Sequence, residues 1–253
     1  MNPKIHVMIL NWNGSKYLSE AVQSIKNNSY SNFKITVIDN NSNDDSLLKI
    51  KNENINIISH LHNYKYAKGY NKAIFELEND DSDYYLLLNN DTVSDKNLLE
   101  SFSKAIKEYG DNCIMGAKIL YAKNKNKIWY AGGKFGFLNL FVSHNGIRKN
   151  DNSIYDNDCL TDYVTGCCLL ISKKNINQLK GFDESFNMYG EDVDLSIRAQ
   201  NIGLKCYYIS QAKLWHHVSA SYGGNYNLSK NISKITSLLK LIIKYPKKII
   251  LGL

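Results

Sequence analysis

Through the first half of the chain, short apolar runs alternate with stretches in which apolar residues recur every three or four positions. KIHVMILN (residues 4–11) is a strand-length apolar run, and Tyr17, Leu18, Ala21, Val22 and Ile25 then share one face of a helix. FKITVID (33–39) is a β-branched run and INIIS (55–59) another. Residues 67–77 and 98–109 carry helical spacing, and DYYLLLNND (83–91) is an apolar strand that ends in a polar turn. Strands that alternate with helices predict an α/β fold with a mostly parallel central sheet and helices on both faces. Ligands of such sheets bind beyond the carboxyl ends of the strands. The polar clusters fall there: NWNG (11–14), DNNSNDD (39–45) and NNDT (89–92).

The second half is less regular. Residues 128–148 mix aromatics with glycine and predict a hairpin or loop excursion, and YVTGCCLLIS (163–172) reads as a buried strand. GFDESFNMYGEDVDLSIRAQNIG (181–203) is a loop that runs into a helix with Glu191, Asp192 and Asp194 in its first turn, favourable beside the helix dipole. Gly203 is placed to end that helix. Residues 229–245 predict a last helix with Ile232, Ile235, Leu238, Leu239, Ile242 and Tyr245 on one side, stopped by Pro246.

At 253 residues, with 43% hydrophobic and 22% charged positions, the chain can bury a sizeable core and is not compositionally disordered. Charge is unevenly placed: no acidic residue follows Asp194, whereas nine Lys and Arg do. Those nine exceed the chain's net +7, so the residues up to Asp194 sum to −2. Basicity confined to one end argues for a local anionic partner. The five cysteines form no CxxC pair and no zinc spacing, and their odd count predicts reduced thiols in a cytosolic compartment. The N-terminal apolar run is too short to span a membrane and reads as a first strand rather than a signal peptide.

Three segments can carry chemistry. Asn89, Asn90 and Asp91 leave an apolar strand at the sheet rim, where Asp91 offers a hard oxygen to Mg²⁺ or Mn²⁺ bridging a diphosphate. The plainer alternative is a turn whose Asp91 or Ser94 caps the next helix. GEDVDLSIR (190–198) holds three carboxylates in four positions, which are costly to keep together unless a cation or a shared proton relieves them. Asp194 with Arg198 reads as a structural i,i+4 pair. Glu191 and Asp192 are the candidates for a base that deprotonates an acceptor hydroxyl. In LWHHVSASYGG (214–224), His216 and His217 precede Ser219, Ser221 and a glycine pair, a site signal or simply core histidines. Asp39, closing its strand, is suited to accept hydrogen bonds from a base or ribose, and is also a common turn former.

Taken in order, VMILNWNG, VIDNNSNDDS, NYKYAKGYNKAI, LLLNNDT, TGCCLLI, GFDESFNMYGEDVDLSIRAQNIG and WHHVSASYGG resemble glycosyltransferase family 2, in particular its bacterial rhamnosyltransferase-like branch, over about residues 5–231. The resemblance implies a GT-A fold in one domain, residues 1–228. Its nucleotide-binding half is about 1–118 and its acceptor-binding half about 119–228, and the basic amphipathic helix 229–253 follows. It implies an inverting transfer from a nucleotide diphosphate sugar, dTDP-rhamnose or a UDP-sugar, to a glycan or lipid-linked acceptor in surface polysaccharide synthesis. By position, Asp39 resembles the contact to the nucleoside base, Asp91 the metal-holding last residue of the Asp-x-Asp motif, and Asp192 the catalytic base beside Glu191. His216 matches a histidine that assists the metal or diphosphate. Asn63, Gly69 and Asn71 match a loop near the nucleotide, and Asn11 and Asn90 are expected to contact the nucleotide with them. That loop is often glycine-rich in the family and here departs by carrying Lys65 and Lys68, of which Lys68 is expected to offset diphosphate charge. Asn89 departs from the pattern by replacing the motif's first Asp, which leaves the metal fewer carboxylates.

A nucleotidyltransferase making the sugar nucleotide would share such a sheet but is expected to carry a Gly-rich, basic loop after the first strand, which NWNG is not. A non-catalytic sugar-nucleotide-binding module would tolerate loss of Asp91 or Asp192, and both are present. The tail pairs Lys240, Lys244, Lys247 and Lys248 with an aliphatic face and suits either an anionic membrane surface or packing on the domain or a second subunit. No nucleic-acid recognition motif accompanies it.

Overall fold

The computed structural model describes residues 2–139, 141–186, 188–218 and 228–252. In chain order the elements are β1 (Ile5–Asn11), α1 (Leu18–Lys26), β2 (Phe33–Asp39), β3 (Asn56–Ser59), α2 (Lys65–Glu76), β4 (Tyr84–Asn89), β5 (Thr92–Ser94), α3 (Leu98–Tyr109) and β6 (Cys113–Tyr121). They continue with β7 (Asn124–Tyr130), β8 (Gly133–Gly136), β9 (Phe141–His144), β10 (Cys159–Leu160), β11 (Cys168–Ser172), α4 (Lys173–Gln178), α5 (Glu191–Asn201), β12 (Lys205–His216) and α6 (Leu228–Lys244). A wide helical turn, Lys247–Leu251, follows Pro246.

One sheet runs β10-β12-β6-β11-β4-β1-β2-β3, with β5 added to β12 and β7 to β6. Four of the seven junctions on that path are parallel: β3/β2, β2/β1, β1/β4 and β6/β12. The fold is therefore α/β with a mostly parallel centre, as expected. Side chains alternate across the sheet as strand geometry requires. Val7, Ile9, Val37, Leu86 and Leu88 join one buried cluster, Met8, Ile38, Tyr85 and Leu87 the other. Both faces are thus covered, which explains why these strands read as continuous apolar runs.

β1 is the switch point: β2 lies on one side and β4 on the other, so their carboxyl ends open a crevice. Register places Asn11 opposite Asp39 and Leu10 opposite Asn89. β11 runs antiparallel to β4, which brings its leading residues Gly166 and Cys167 to the same rim. β11 comes from the second half of the chain yet sits between β4 and β6, so the two halves share one sheet and one core.

α5 ends as its sequence predicts. Gly203 adopts φ +86, and the N–H groups of Gly203 and Leu204 donate to Gln200 and Ala199 at 3.0 Å each. That is the Schellman arrangement glycine favours. The five cysteines are unpaired, and all but Cys159 are buried.

The last helix differs from the sequence expectation. Its inward side carries Leu238, Leu241, Ile242 and Tyr245, all packed on the core, while Ile232, Ile235, Leu239 and Ile243 point to solvent. Lys240 and Lys244 do not decorate a free face. Lys240 donates to the Ser185 carbonyl at 2.7 Å, and Lys244 reaches Asp183 at 2.8 Å and Asp194 at 2.5 Å. No helix among the described residues is long and apolar enough to cross a membrane.

Candidate active site

The first-strand turn is a knot of amides and carboxylates. Asn11 is fully buried, and its Nδ2 donates to Asp39 Oδ1 at 2.9 Å, Ser46 Oγ at 3.0 Å and Ser42 Oγ at 3.1 Å. Its Oδ1 accepts from Asn90 Nδ2 at 2.7 Å, tying the exit of β1 to the exit of β4. Asp39 also accepts from the Ser42 backbone at 2.9 Å and the Ser42 hydroxyl at 2.6 Å. A carboxylate offers about four acceptor positions, so three are used in shaping the 39–46 loop. Gly14 permits this closeness: a Cβ there would stand 2.2 Å from Asn11 Oδ1 and 2.3 Å from Asn90 Nδ2. Asn89 is half-buried, and its amide makes no hydrogen bond to a described residue.

Asp91 is buried beside His216, its Oδ1 3.1 Å from His216 Nε2. β12 positions the histidine by pairing with β5, setting His216 opposite Thr92, and the next residue's backbone N–H donates to the Asp91 carbonyl at 2.9 Å. Burial alone would raise the Asp91 pKa, but the charge and hydrogen bond of His216 outweigh it and hold the carboxyl below its ordinary value. Trp129 stands edge-on to His216 at 4.6 Å and to His144 at 4.4 Å. His217 turns away to Tyr17, 4.5 Å between ring centres, and Glu20 at 3.4 Å. Ser219, Ser221, Gly223 and Gly224 lie outside the described residues.

The acidic turn meets this rim through Gly166. The Gly166 N–H donates to Asp192 Oδ2 at 2.8 Å and the Val193 N–H to Asp192 Oδ1 at 2.8 Å. Tyr66, from α2, fixes the same residue from its other side by donating to the Gly166 carbonyl at 2.6 Å. Glu191 is buried with Oε2 unpaired. Burial, then the Asp192 charge, pushes its carboxyl up to about 8. Burial also raises Asp192, against the hydrogen bonds that favour its ionised form. Two adjacent carboxyls in one buried site share a proton. Glu191, with one oxygen unpaired, holds it, and Asp192, with two backbone donors and partial exposure, stays ionised.

Asn11, Asp39 and Asn90 thus form one network, and Asp91–His216 and Glu191–Asp192 flank Cys167 at the same rim; the thiol is raised by burial and by both carboxylates. The remaining nucleotide candidates are spent differently. Asn71 is bonded to both backbone groups flanking the Gly181–Phe182 turn, donating to the Phe182 carbonyl at 2.9 Å and accepting from its N–H at 2.8 Å. Gly69 allows α2 to pack against Leu10 and Asn40, and Asn63 accepts from the Lys65 N–H at 2.9 Å to start α2. Lys68 is exposed, its ammonium 5.2 Å from the Tyr64 ring, while Lys65 lies over Trp12 of the first turn at 5.5 Å. Sequence reasoning missed Gly14, Tyr66, Trp129 and His144. Only Gly14 carried a signal, the glycine that closes NWNG.

Among the described residues no group of three or more His, Cys, Asp or Glu side chains is placed to hold a metal ion. Asp91 and His216 offer two donor groups, and a cation that bridges a diphosphate needs only one or two protein groups. The pair fits a metal completed by the donor.

Residues 6–179 match the model of glycosyl transferase family 2. Across 226 residues, 84% of this chain and 83% of that protein, the sequence is 25% identical to rhamnosyltransferase WbbL of Escherichia coli (strain K12). A 61-residue segment, 24% of this chain and 20% of that protein, is 39% identical to N-acetylglucosaminyl-diphospho-decaprenol L-rhamnosyltransferase of Mycobacterium tuberculosis (strain ATCC 25618 / H37Rv). In fold the chain is similar to GalNAc-T7, crystallised with UDP, GalNAc and Mn²⁺, at TM-score 0.72 and 13% identity over 95% of this chain and 48% of that one. It is also similar to S. aureus TarS 1-349 in complex with UDP, at TM-score 0.56 and 18% identity over 82% of this chain and 60% of that one. This chain spans about half of the first structure and three fifths of the second, and at such identities they show the GT-A fold alone. With most of its length matched by the family model, and a similarity to a rhamnosyltransferase over 84% of the chain, this chain is a glycosyltransferase that belongs to glycosyl transferase family 2.

Proposed function

We propose that the enzyme takes a sugar from a nucleotide diphosphate donor, dTDP-rhamnose or a UDP-sugar, and passes it with inversion to a hydroxyl of a glycan or lipid-linked acceptor in bacterial surface polysaccharide synthesis. The observation that carries this reading is the meeting, at one sheet rim, of Asp91, held ionised beside His216, with an ionised Asp192 beside a protonated Glu191. Residues 1–118 supply the nucleotide side and 119–228 the acceptor side. The rhamnosyltransferase WbbL likeness favours rhamnose, and the UDP held by TarS favours a uridine donor.

Asp192 accepts the acceptor's hydroxyl proton as the acceptor oxygen bonds to the anomeric carbon. The bond from that carbon to the diphosphate breaks, and the nucleoside diphosphate leaves with the electron pair. Gly166 and Tyr66 hold Asp192 in place for that step. Glu191, kept protonated, spares Asp192 a second charge beside it. Asp91 and His216 would hold Mg²⁺ or Mn²⁺, which when bound offsets the charge of the departing diphosphate. Asn11, Asn90 and Asp39 shape the nucleotide side of the cleft, and Asn89 offers it an unused amide. Lys68 is assigned to the diphosphate only if Lys68→Ala weakens donor binding.

A donor screen tests the reading: release of nucleoside diphosphate is measured from dTDP- and UDP-sugars with Mg²⁺ or Mn²⁺. Asp192→Asn is expected to lower turnover far more than donor affinity. Equal losses in both would make Asp192 a binding residue instead.

A further inference from the structure

The β8–β9 hairpin carries two large apolar side chains into solvent at its tip, Phe137 at 67% and Leu138 at 96% exposure. Among the described residues these two side chains stay exposed although the C-terminal turn lies alongside. The C-terminal turn lies against this hairpin, with Gly252 packed by the Phe135–Gly136 backbone, and it adds the exposed Leu251. α6 leads into that turn with an outward stripe of Ile232, Ile235, Leu239 and Ile243, the last 81% exposed. Scattered apolar residues need no explanation, but a set gathered on adjoining elements does. Among the described side chains, the cations on these elements that are not drawn into the domain are Lys134 and Lys247, both exposed, and Lys234, which rests near Tyr189. No Asp or Glu follows Asp194 in the chain to oppose them.

The hairpin also points somewhere. Its other end, where Gly133 pairs with His144, abuts Trp129, whose ring meets His216 of the candidate site. Each strand is four residues long. At ~3.3 Å per residue the tip therefore stands about 13 Å from the cleft wall.

We propose that the hairpin tip, the C-terminal turn and the outer stripe of α6 form one docking surface for an anionic lipid bilayer, with Phe137 and Leu138 inserted among the acyl chains. Lys134, Lys234 and Lys247 meet the headgroups. This sets the acceptor side of the cleft against the bilayer, where a lipid-linked acceptor is presented, and in that respect it rests on the function proposed above. The lipid source, rather than a second protein, follows from the charge pattern: the elements that present these apolar side chains carry lysine and no acidic residue of their own, which matches an apolar layer under anionic headgroups.

Co-sedimentation with vesicles of phosphatidylcholine, and of equal parts phosphatidylcholine and phosphatidylglycerol, tests it on the full chain. The wild type is expected to bind the anionic vesicles and to release them as salt rises. Phe137→Ser with Leu138→Ser is expected to weaken binding by about a hundredfold, since each large apolar side chain withdrawn from lipid is worth about tenfold. Lys134→Gln with Lys247→Gln is expected to cost about fivefold per lysine on anionic vesicles only. Both variants keep wild-type unfolding midpoints and wild-type nucleotide release from donor in solution, because neither touches the cleft. Absence of wild-type binding, or equal binding by the apolar variant, overturns the proposal. So does a solution dimer that the apolar substitutions dissolve without any vesicle binding, which would hand the surface to a second copy. A chain that binds vesicles yet releases nucleotide from no donor would instead refute the proposed function and leave the docking surface standing.

Discussion

Replacing Glu191 by glutamine separates a protonated carboxyl from an ionised one. Glu191 is 7% exposed and one of its oxygens has no partner. Burial, with the neighbouring Asp192 charge, moves it from 4.5 to about 8. Between those values the folded chain holds a proton on Glu191 that the unfolded chain has released. The folded state therefore binds one proton more, and stability falls as pH rises. The fall is about 1.4 kcal/mol per pH unit, or about 5 kcal/mol over the whole interval, as a ceiling for a group whose neighbour shares the cost. Below pH 4.5 the contribution is fully present, and above about 8 the loss is complete.

Glutamine keeps the shape and never ionises. Its variant should match the wild type near pH 4.5 and exceed it by several kcal/mol at pH 8. Urea unfolding at intervals from pH 5 to 8 measures this, and the difference between the two proteins isolates position 191 because every other titrating group is common to both. A difference that stays constant with pH would refute the assignment. Kinetics give a second check. If Glu191 is already neutral, the acidic limb of kcat/KM set by Asp192 stays where it is in Glu191→Gln. If the proton sat on Asp192 instead, that limb would move to lower pH.

Three further outcomes are expected. Asp91→Asn should lower Mn²⁺-stimulated turnover on the order of 10²-fold, read from rates across a metal titration; an unchanged metal dependence would remove Asp91 from the metal. Tyr245→Phe deletes a 2.7 Å hydrogen bond to the fully buried Asp194 and should cost about 1.5–3 kcal/mol of unfolding free energy. A loss under about 0.5 kcal/mol would mean the helix is anchored elsewhere. Gly14→Ala places a Cβ 2.2 Å from Asn11 Oδ1, breaks the Asn11–Asn90 link, and should weaken UDP or dTDP binding about tenfold. Calorimetry that finds wild-type affinity would detach this network from the nucleotide.

The parallel half of the sheet was legible because both of its faces are covered, so Ile5–Asn11, Phe33–Asp39 and Tyr84–Asn89 stand out as unbroken apolar runs. β6 was not legible, for a physical reason. It carries Lys118 at full burial, which local pattern counts against a central strand, and the charge is accommodated by Asp151 at 2.9 Å and Asp156 at 2.6 Å, more than thirty residues away. β12 was hidden by an irregularity between Ile209 and Lys213 that breaks its alternation. The order of the site motifs could be read, but the contacts that join them could not. His216 meets Asp91 because β12 pairs with β5, and Tyr66 steadies Asp192 only through Gly166, which bonds to both. The last helix was apolar around too wide an arc for its sequence to say which stripe faces the core. Lys244, Tyr245 and Asp194 decide that, by a contact no spacing rule foretells.

The substitution of Asn89 for an acid makes sense against the charges the fold already holds. Asp91 is kept ionised by His216, and Asp192 by the Gly166 and Val193 N–H groups. The fold thus retains two carboxylates at one rim, with His216 set against Asp91. A second acid at position 89 would add repulsion against the incoming diphosphate, which only a resident cation could relieve, and two protein ligands do not make a resident site. An amide removes the repulsion, keeps a hydrogen-bonding group at the turn, and leaves the cation to arrive with the nucleotide. The expected signature is reciprocal: Mn²⁺ binding should be weak alone and strengthened by UDP by the same factor that Mn²⁺ strengthens UDP, since coupling between two ligands on one protein is symmetric. Tight metal binding without nucleotide would mean that other groups complete the site, and that the loss of an acid at position 89 carries no such consequence.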